Sequence, residues 1–61
     1  MKLKDLRQIF SQYQAVDIYE GNNLLYFNDV FEFVPDELDL REVRDVTVIN
    51  NRIDIYLEVI R

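Results

Sequence analysis

The last third of this chain alternates almost without interruption. Thr47 separates Val46 from Val48, while Asp54, Tyr56 and Glu58 separate Ile53, Ile55, Leu57 and Val59; Asn50-Asn51 stands between the two runs. A period of two places one set of side chains on one face of a strand. The paired asparagines tolerate the positive φ that a tight hairpin turn demands. With those two as the loop, Val48 faces Ile53 and Val46 faces Ile55, so pattern and turn specify the same register. The chain is thereby committed to a sheet with one buried face.

A second hairpin is predicted upstream. Val16 and Ile18 alternate with Asp17 and Tyr19, Gly21-Asn22-Asn23 supplies a turn, and residues 24–27 return. A Gly21-Asn22 loop sets Ile18 against Leu25 and Val16 against Phe27. An Asn22-Asn23 loop sets Ile18 against Phe27. Either register puts Leu25 and Phe27 on the Val16/Ile18 face.

Ahead of this hairpin, Leu3, Leu6, Ile9, Phe10 and Tyr13 recur every three or four residues. That spacing predicts a helix over residues 4–13, too short to stand without docking its apolar stripe. Between the hairpins, Asn28-Asp29 reads as a turn or cap. Val30, Phe31, Phe33 and Val34 are too apolar for an exposed loop. Residues 35–40 read as a short helical turn, with Pro35 setting its start, Asp36 and Glu37 in its first turn, and Leu38 tucked into the core.

The expected product is a single α+β domain over residues 1–61: an N-terminal helix packed on a four-stranded antiparallel sheet, in the order α-β-β-short helix-β-β and in two layers. Its expected core joins Val46, Val48, Ile53, Ile55, Leu57 and Val59 to Val16, Ile18, Leu25 and Phe27.

Composition narrows what such a domain can do. The 61 residues include no His, no Cys and no Trp, and only one Gly. Imidazole acid–base chemistry, thiolate nucleophiles and Cys/His metal sites are excluded, and a lone Gly21 does not make a phosphate-binding loop. Catalysis by paired carboxylates needs a substrate cleft that a domain of this size rarely builds. The chain is therefore expected to be no enzyme, with no catalytic residues and no cofactor. Asp36, Glu37 and Asp39 offer hard oxygen ligands but lack the turn glycine of a calcium loop, so no metal is expected.

A domain this small hides only about 60 % of its unfolded surface and has no disulfide or zinc to help. It must pack efficiently or associate. The absence of Cys agrees with a reducing compartment. The N-terminus lacks an apolar signal region, and no apolar run approaches the roughly 20 residues of a membrane span. A cytoplasmic protein without membrane contact is expected.

Two surfaces stand out as candidates. The first is an acidic belt of Asp29, Glu32, Asp36, Glu37, Asp39, Glu42 and Asp45, set against only Arg41 and Arg44. It suits a partner protein with a basic surface. The second is the sheet face opposite the core, carrying Tyr19, Leu24, Tyr26, Tyr56 and Ile60 among Asp17, Asp54 and Glu58. Tyrosines give large contact area at low entropic cost, so this face is expected to self-associate, most simply as a dimer. Nucleic acid is an unfavourable partner for a chain of net charge −5. A single-strand binder would have to combine stacking tyrosines with Lys2, Lys4 and Arg7 as its basic edge.

Four stretches carry a resemblance: Leu3-Lys4-Asp5-Leu6, Val16-x-Ile18-Tyr19, Val34-Pro35-Asp36-Glu37-Leu38-x-x-Arg41-Glu42-Val43, and Ile53-x-Ile55-x-Leu57. Together they resemble small acidic proteins encoded by prophages and mobile elements of Gram-positive bacteria, some of which act as anti-CRISPR or counter-defence factors. The resemblance implies a phage or prophage context in a bacterial host cell; taken with the acidic belt, the expected function is a protein-binding factor that inhibits a nucleic-acid-handling or defence enzyme. A homo-oligomeric structural or regulatory module is the alternative.

Overall fold

The computed structural model describes residues 1–60. One helix, α1 (Leu3–Ile9), precedes four strands: β1 (Ala15–Glu20), β2 (Asn23–Val30), β3 (Val43–Ile49) and β4 (Arg52–Leu57). Two 3₁₀ turns, Phe31–Phe33 and Asp36–Leu38, bridge β2 to β3. The chain is an α+β domain with an open sheet in the order β2-β1-β4-β3. No helix among the described residues is long and apolar enough to cross a membrane.

Each hairpin is antiparallel, but β1 and β4 meet in parallel, with Val16 beside Ile53, Ile18 beside Ile55 and Tyr19 beside Tyr56. The sheet is therefore mixed and not purely antiparallel. Alternation and turns bear on the pairing inside a hairpin and carry nothing about how the hairpins abut. The two central strands bury Val16, Ile18, Ile53, Ile55 and Leu57, consistent with the burial that parallel neighbours require. Leu3 and Leu6 of α1 join them in one core with Phe31 and Val34; Phe10, Tyr26, Leu38, Val43 and Val46 pack around it. Leu38 reaches the core as its position predicts.

The C-terminal hairpin has the expected register, with Asn50 and Asn51 both at positive φ (48° and 66°). The N-terminal hairpin does not. Its loop is Gly21-Asn22, with Tyr19 opposite Leu24, but Ile18 then faces Tyr26 and Val16 faces Asp29. One extra residue enters β2 at Leu25 and another beside Asn28, which sits at φ 57°. Each bulge shifts the strand by one position and exchanges its faces. Tyr26 turns to the core, while Leu25 and Phe27 are exposed.

Two further core positions are corrected. Val48 is 63 % exposed and Val59 is 50 % exposed. Val48 points to the core side at the sheet edge, and Val59 lies beyond the end of β4. The helix is also shorter than its apolar spacing predicts. Phe10 caps it in extended backbone, leaving Ile9 and Tyr13 exposed. Its first residues are strapped to the chain entering β3: Leu3 N–H donates to the Arg41 carbonyl at 3.1 Å and Val43 N–H to the Met1 carbonyl at 2.8 Å.

Candidate binding surfaces

The 31–38 segment has little regular structure of its own, and one side chain organises it. Arg7, on α1, donates from Nη1 to the Phe31 carbonyl at 2.7 Å and from Nη2 to the Val34 and Pro35 carbonyls at 2.7 and 3.1 Å. Its Nε meets Asp39 Oδ1 at 2.5 Å, and its guanidinium lies 5.8 Å from the Phe31 ring centre. The planar fork of donors suits arginine to this task and would not suit lysine. Phe31 and Val34 are drawn inward. The alternate residues point out: Phe33 is 70 % exposed, and Glu32, Asp36 and Glu37 are exposed beside it. Phe33 thus breaks the expectation that all four apolar residues here are covered. A shallow groove of about 310 Å³, lined by Arg7, Gln12, Phe31, Glu32 and Asp36, runs along the base of this loop.

The acidic belt is consequently not one surface. Asp39 is held by Arg7. Glu42 pairs with Lys2 Nζ at 3.0 Å and with the terminal amine at 3.5 Å; the Lys2 hydrogen bond and charge hold its carboxyl below the usual range. Asp29 and Asp45 lie on β2 and β3, at opposite edges of the sheet. Asp45 accepts from its own neighbour's backbone, Val46 N–H, at 2.8 Å. Only Glu32, Asp36 and Glu37 remain together, exposed and without an ion-pair partner among the described residues.

The sheet face opposite the core is also rearranged. Tyr19 and Tyr56 stack at 4.9 Å with their rings 13° apart, a direct product of their parallel pairing. Leu24 sits across from Tyr19. Tyr26 has left this face for the core side, and Ile60 lies beyond β4. In their place stands a group no alternation could show. Asp17, whose side chain is 7 % exposed, accepts from Arg52 Nη2 at 2.5 and 2.6 Å and from Asn28 N–H at 2.6 Å. Arg52 Nη1 donates to Asn28 Oδ1 at 2.9 Å, and its guanidinium lies 5.3 Å from the Phe27 ring centre. The β2 bulge at Asn28 is what aims this N–H at Asp17.

Beside Asp17 in register is a second carboxylate, Asp54. Burial raises Asp17, but Asn28 and Arg52 outweigh it and the net direction is down. Asp54 goes up, through burial first and then the hydrogen bond and charge of Asp17. The neighbouring Tyr19 hydroxyl is raised by burial and by both carboxylates.

No group of three or more acids among the described residues has the geometry to hold a metal ion. A second open groove, about 320 Å³, lies between Leu40–Glu42 and Glu58–Ile60; its charged residues are Arg41 (paired with Glu20), Glu42 (paired with Lys2) and Glu58, whose carbonyl accepts from Arg41 at 3.0 Å. Arg52, Phe27 and Phe33 are residues that sequence reasoning did not single out as site residues, and Arg7 entered it only as part of a basic edge, not as the clamp of this loop. The acceptors of Arg7 are mostly backbone carbonyls, which leave no trace in the residue types. Comparison with protein-family models, curated proteins and solved structures finds no match to this chain.

Proposed function

We propose that this chain is a non-enzymatic protein-binding factor whose 31–38 loop meets a basic surface on a bacterial protein. The observation that carries the reading is the grip of Arg7. It holds three loop carbonyls and Asp39 while Phe33, Glu32, Asp36 and Glu37 face outward. An exposed aromatic side chain rimmed by charge matches the make-up of protein interfaces. Holding the backbone in place lowers the ordering cost of binding. The carboxylates speed encounter with a basic partner and fix its orientation.

The wider reading is a phage- or prophage-type factor that inhibits a nucleic-acid-handling or defence enzyme in the host cytoplasm. It draws on the sequence resemblance and on the net charge of −5. The same reading takes the domain as two layers, with α1 on the Val16/Ile18 side and the tyrosine face open, and takes the protein to associate with itself as a dimer. A single-strand nucleic-acid binder is disfavoured, because two of its three basic residues are engaged: Lys2 by Glu42 and Arg7 by Asp39.

The test is capture from a bacterial lysate on immobilised wild type, on Phe33→Ser and on the triple variant Glu32→Lys/Asp36→Lys/Glu37→Lys, with mass-spectrometric identification. The reading expects one protein retained by wild type and lost from both variants. The same protein retained equally by all three would remove the loop from the interface.

A further inference from the structure

We propose that a second copy of this chain adds to the free edge of β3, antiparallel and centred on Thr47, so that the two sheets continue as one. This rests on the proposal that the chain associates with itself, and it moves the contact from the tyrosine face to the sheet edge.

The strand order leaves two edges, β2 and β3. β2 is poorly suited to addition. Bulges at Leu25 and Asn28 break its run, and Asp29 follows. Bulges and charges are the usual devices that blunt an edge. β3 has no bulge over residues 45–49, which pair with β4 without a shift, and its one charge there, Asp45, stands at the start of that run. The segment 46–51 contains no charge, no Pro and no Gly.

The backbone of this edge is arranged for a partner. In a hairpin closed by a two-residue loop, the flanking pair, here Ile49 and Arg52, exchanges hydrogen bonds. Alternation along the ladder then leaves the N–H and C=O of Val46 and Val48 aimed away from β4, at the open edge, where the Val46 N–H is held by the Asp45 carboxylate of its own strand at 2.8 Å and must exchange that bond for one to the partner. These are strong donors and acceptors that a neighbouring strand would satisfy. The side chains agree. Val48 points to the core side yet is 63 % exposed, Val46 is only half-buried, and Ile49 is exposed on the other face.

A symmetric antiparallel pair must oppose residues that share a face, so one residue has to oppose itself. Centring on Asp45 would set two carboxylates against each other. Centring on Val46 would draw in Arg44 from the irregular stretch between Val43 and Asp45, and centring on Val48 would draw in the Asn50 turn. Centring on Thr47 pairs the whole regular run with itself. Val46 then faces Val48 twice, Asp45 faces Ile49, and no like charges are opposed. Val46 and Val48 are also the residues with outward backbone groups, so both pairs exchange hydrogen bonds once Asp45 releases the Val46 N–H. The surface is complementary to itself, which is the requirement of a two-fold dimer.

Light scattering and directed cross-linking test this together. The chain has no Cys, so Thr47→Cys offers a single thiol. Opposed across a non-hydrogen-bonded pair, with Cα atoms about 4.5 Å apart, two such residues are within disulfide reach. The expected result is a wild-type mass of twice the chain, a covalent dimer of Thr47→Cys on mild oxidation, and no comparable product from Asn22→Cys at the other hairpin. Thr47→Lys opposes two ammonium groups and places each beside Asp54 of its own chain, so it should give a folded monomer whose melting temperature, unlike that of wild type, does not depend on protein concentration. Tyr56→Asp should remain dimeric. A wild-type mass of one chain, 7.4 kDa, overturns self-association altogether. A dimer that survives Thr47→Lys overturns the edge alone, and its loss in Tyr56→Asp would return the contact to the tyrosine face.

Discussion

Replacing Arg7 by methionine keeps an unbranched apolar stem and deletes every polar contact that the side chain makes. The residue is 18 % exposed at the side chain and Asp39 is 26 % exposed, so the site is partly wet and the loss is smaller than for a fully buried pair. Hydrogen bonds involving a charged group contribute about 1.5–3 kcal/mol each when intact. Water will re-satisfy some of the carbonyls of Phe31, Val34 and Pro35, and Asp39 can turn to solvent. A net cost of about 2–4 kcal/mol follows. A domain of this length is stabilised by only about 3–9 kcal/mol in all, and 1 kcal/mol moves the melting temperature of so small a domain by about 4–8 °C. Arg7→Met should therefore lower the melting temperature by about 10–30 °C. Arg7→Lys, which keeps the charge but not the fork, should fall between. Circular dichroism gives the melt, and limited proteolysis reports whether the 31–38 loop opens first. A melt of Arg7→Met within a few degrees of wild type, with no new cleavage in the loop, would refute the view that this arginine holds the loop.

Three other outcomes follow from the same structure. Ile55→Ala removes a fully buried side chain and should cost about 2–5 kcal/mol in urea denaturation, whereas Val48→Ala, which removes no more than a cross-strand pair at the edge, should cost at most about 1 kcal/mol; equal effects would contradict the register of the core. Gly21 sits at φ 58°, and an added Cβ would come within 3.1 Å of Val59 Cγ2, so Gly21→Ala should destabilise measurably by thermal melting, through backbone strain and crowding together. Asp54, raised above its ordinary 3.8, opposes folding above that raised value and ceases to do so as pH falls through it. Asp17, lowered from 3.8, supports folding above that value and loses its contribution below it. Asp54→Asn, whose amide can donate to Asp17, should thus be more stable than wild type near neutrality, with the gap closing as pH approaches about 4; denaturation curves from neutral to mildly acidic pH that run parallel for the two proteins would contradict the pairing.

The hairpins were legible in the sequence because alternation and turn residues reinforce each other there: Asn50-Asn51 and Gly21-Asn22 are the observed loops. What failed was the step from face to burial. Alternation assigns Val48 to the core side, but it cannot show that nothing covers the outer edge of β3. The bulges in β2 carry no glycine. Asn28 adopts its positive φ while accepting from Arg52 and offering its N–H to Asp17, partners that are distant in sequence, so Tyr26 and Phe27 exchanged faces unseen. The parallel contact of β1 with β4 is a relation between hairpins, which alternation and turn residues within one hairpin do not encode. The acidic belt was visible as composition only. Its division into Asp39 and Glu42, which hold the N-terminal segment, and Glu32, Asp36 and Glu37, which face solvent, depends on where Arg7 and Lys2 arrive in space.

That division fixes which carboxylates a charge-reversal experiment must leave alone. Reversing Asp39 would remove the partner of Arg7 and confound binding with folding. The direct measurement is therefore the association rate between the captured basic partner and either wild type or the Glu32→Lys/Asp36→Lys/Glu37→Lys variant, at low and at high salt. If the loop steers the encounter, wild type associates faster at low salt, slows as salt rises, and loses most of its advantage over the variant at high salt, with both proteins melting at nearly the same temperature. Equal rates for the two proteins, unchanged by salt, would leave the three carboxylates as solvated surface and contradict the proposed function.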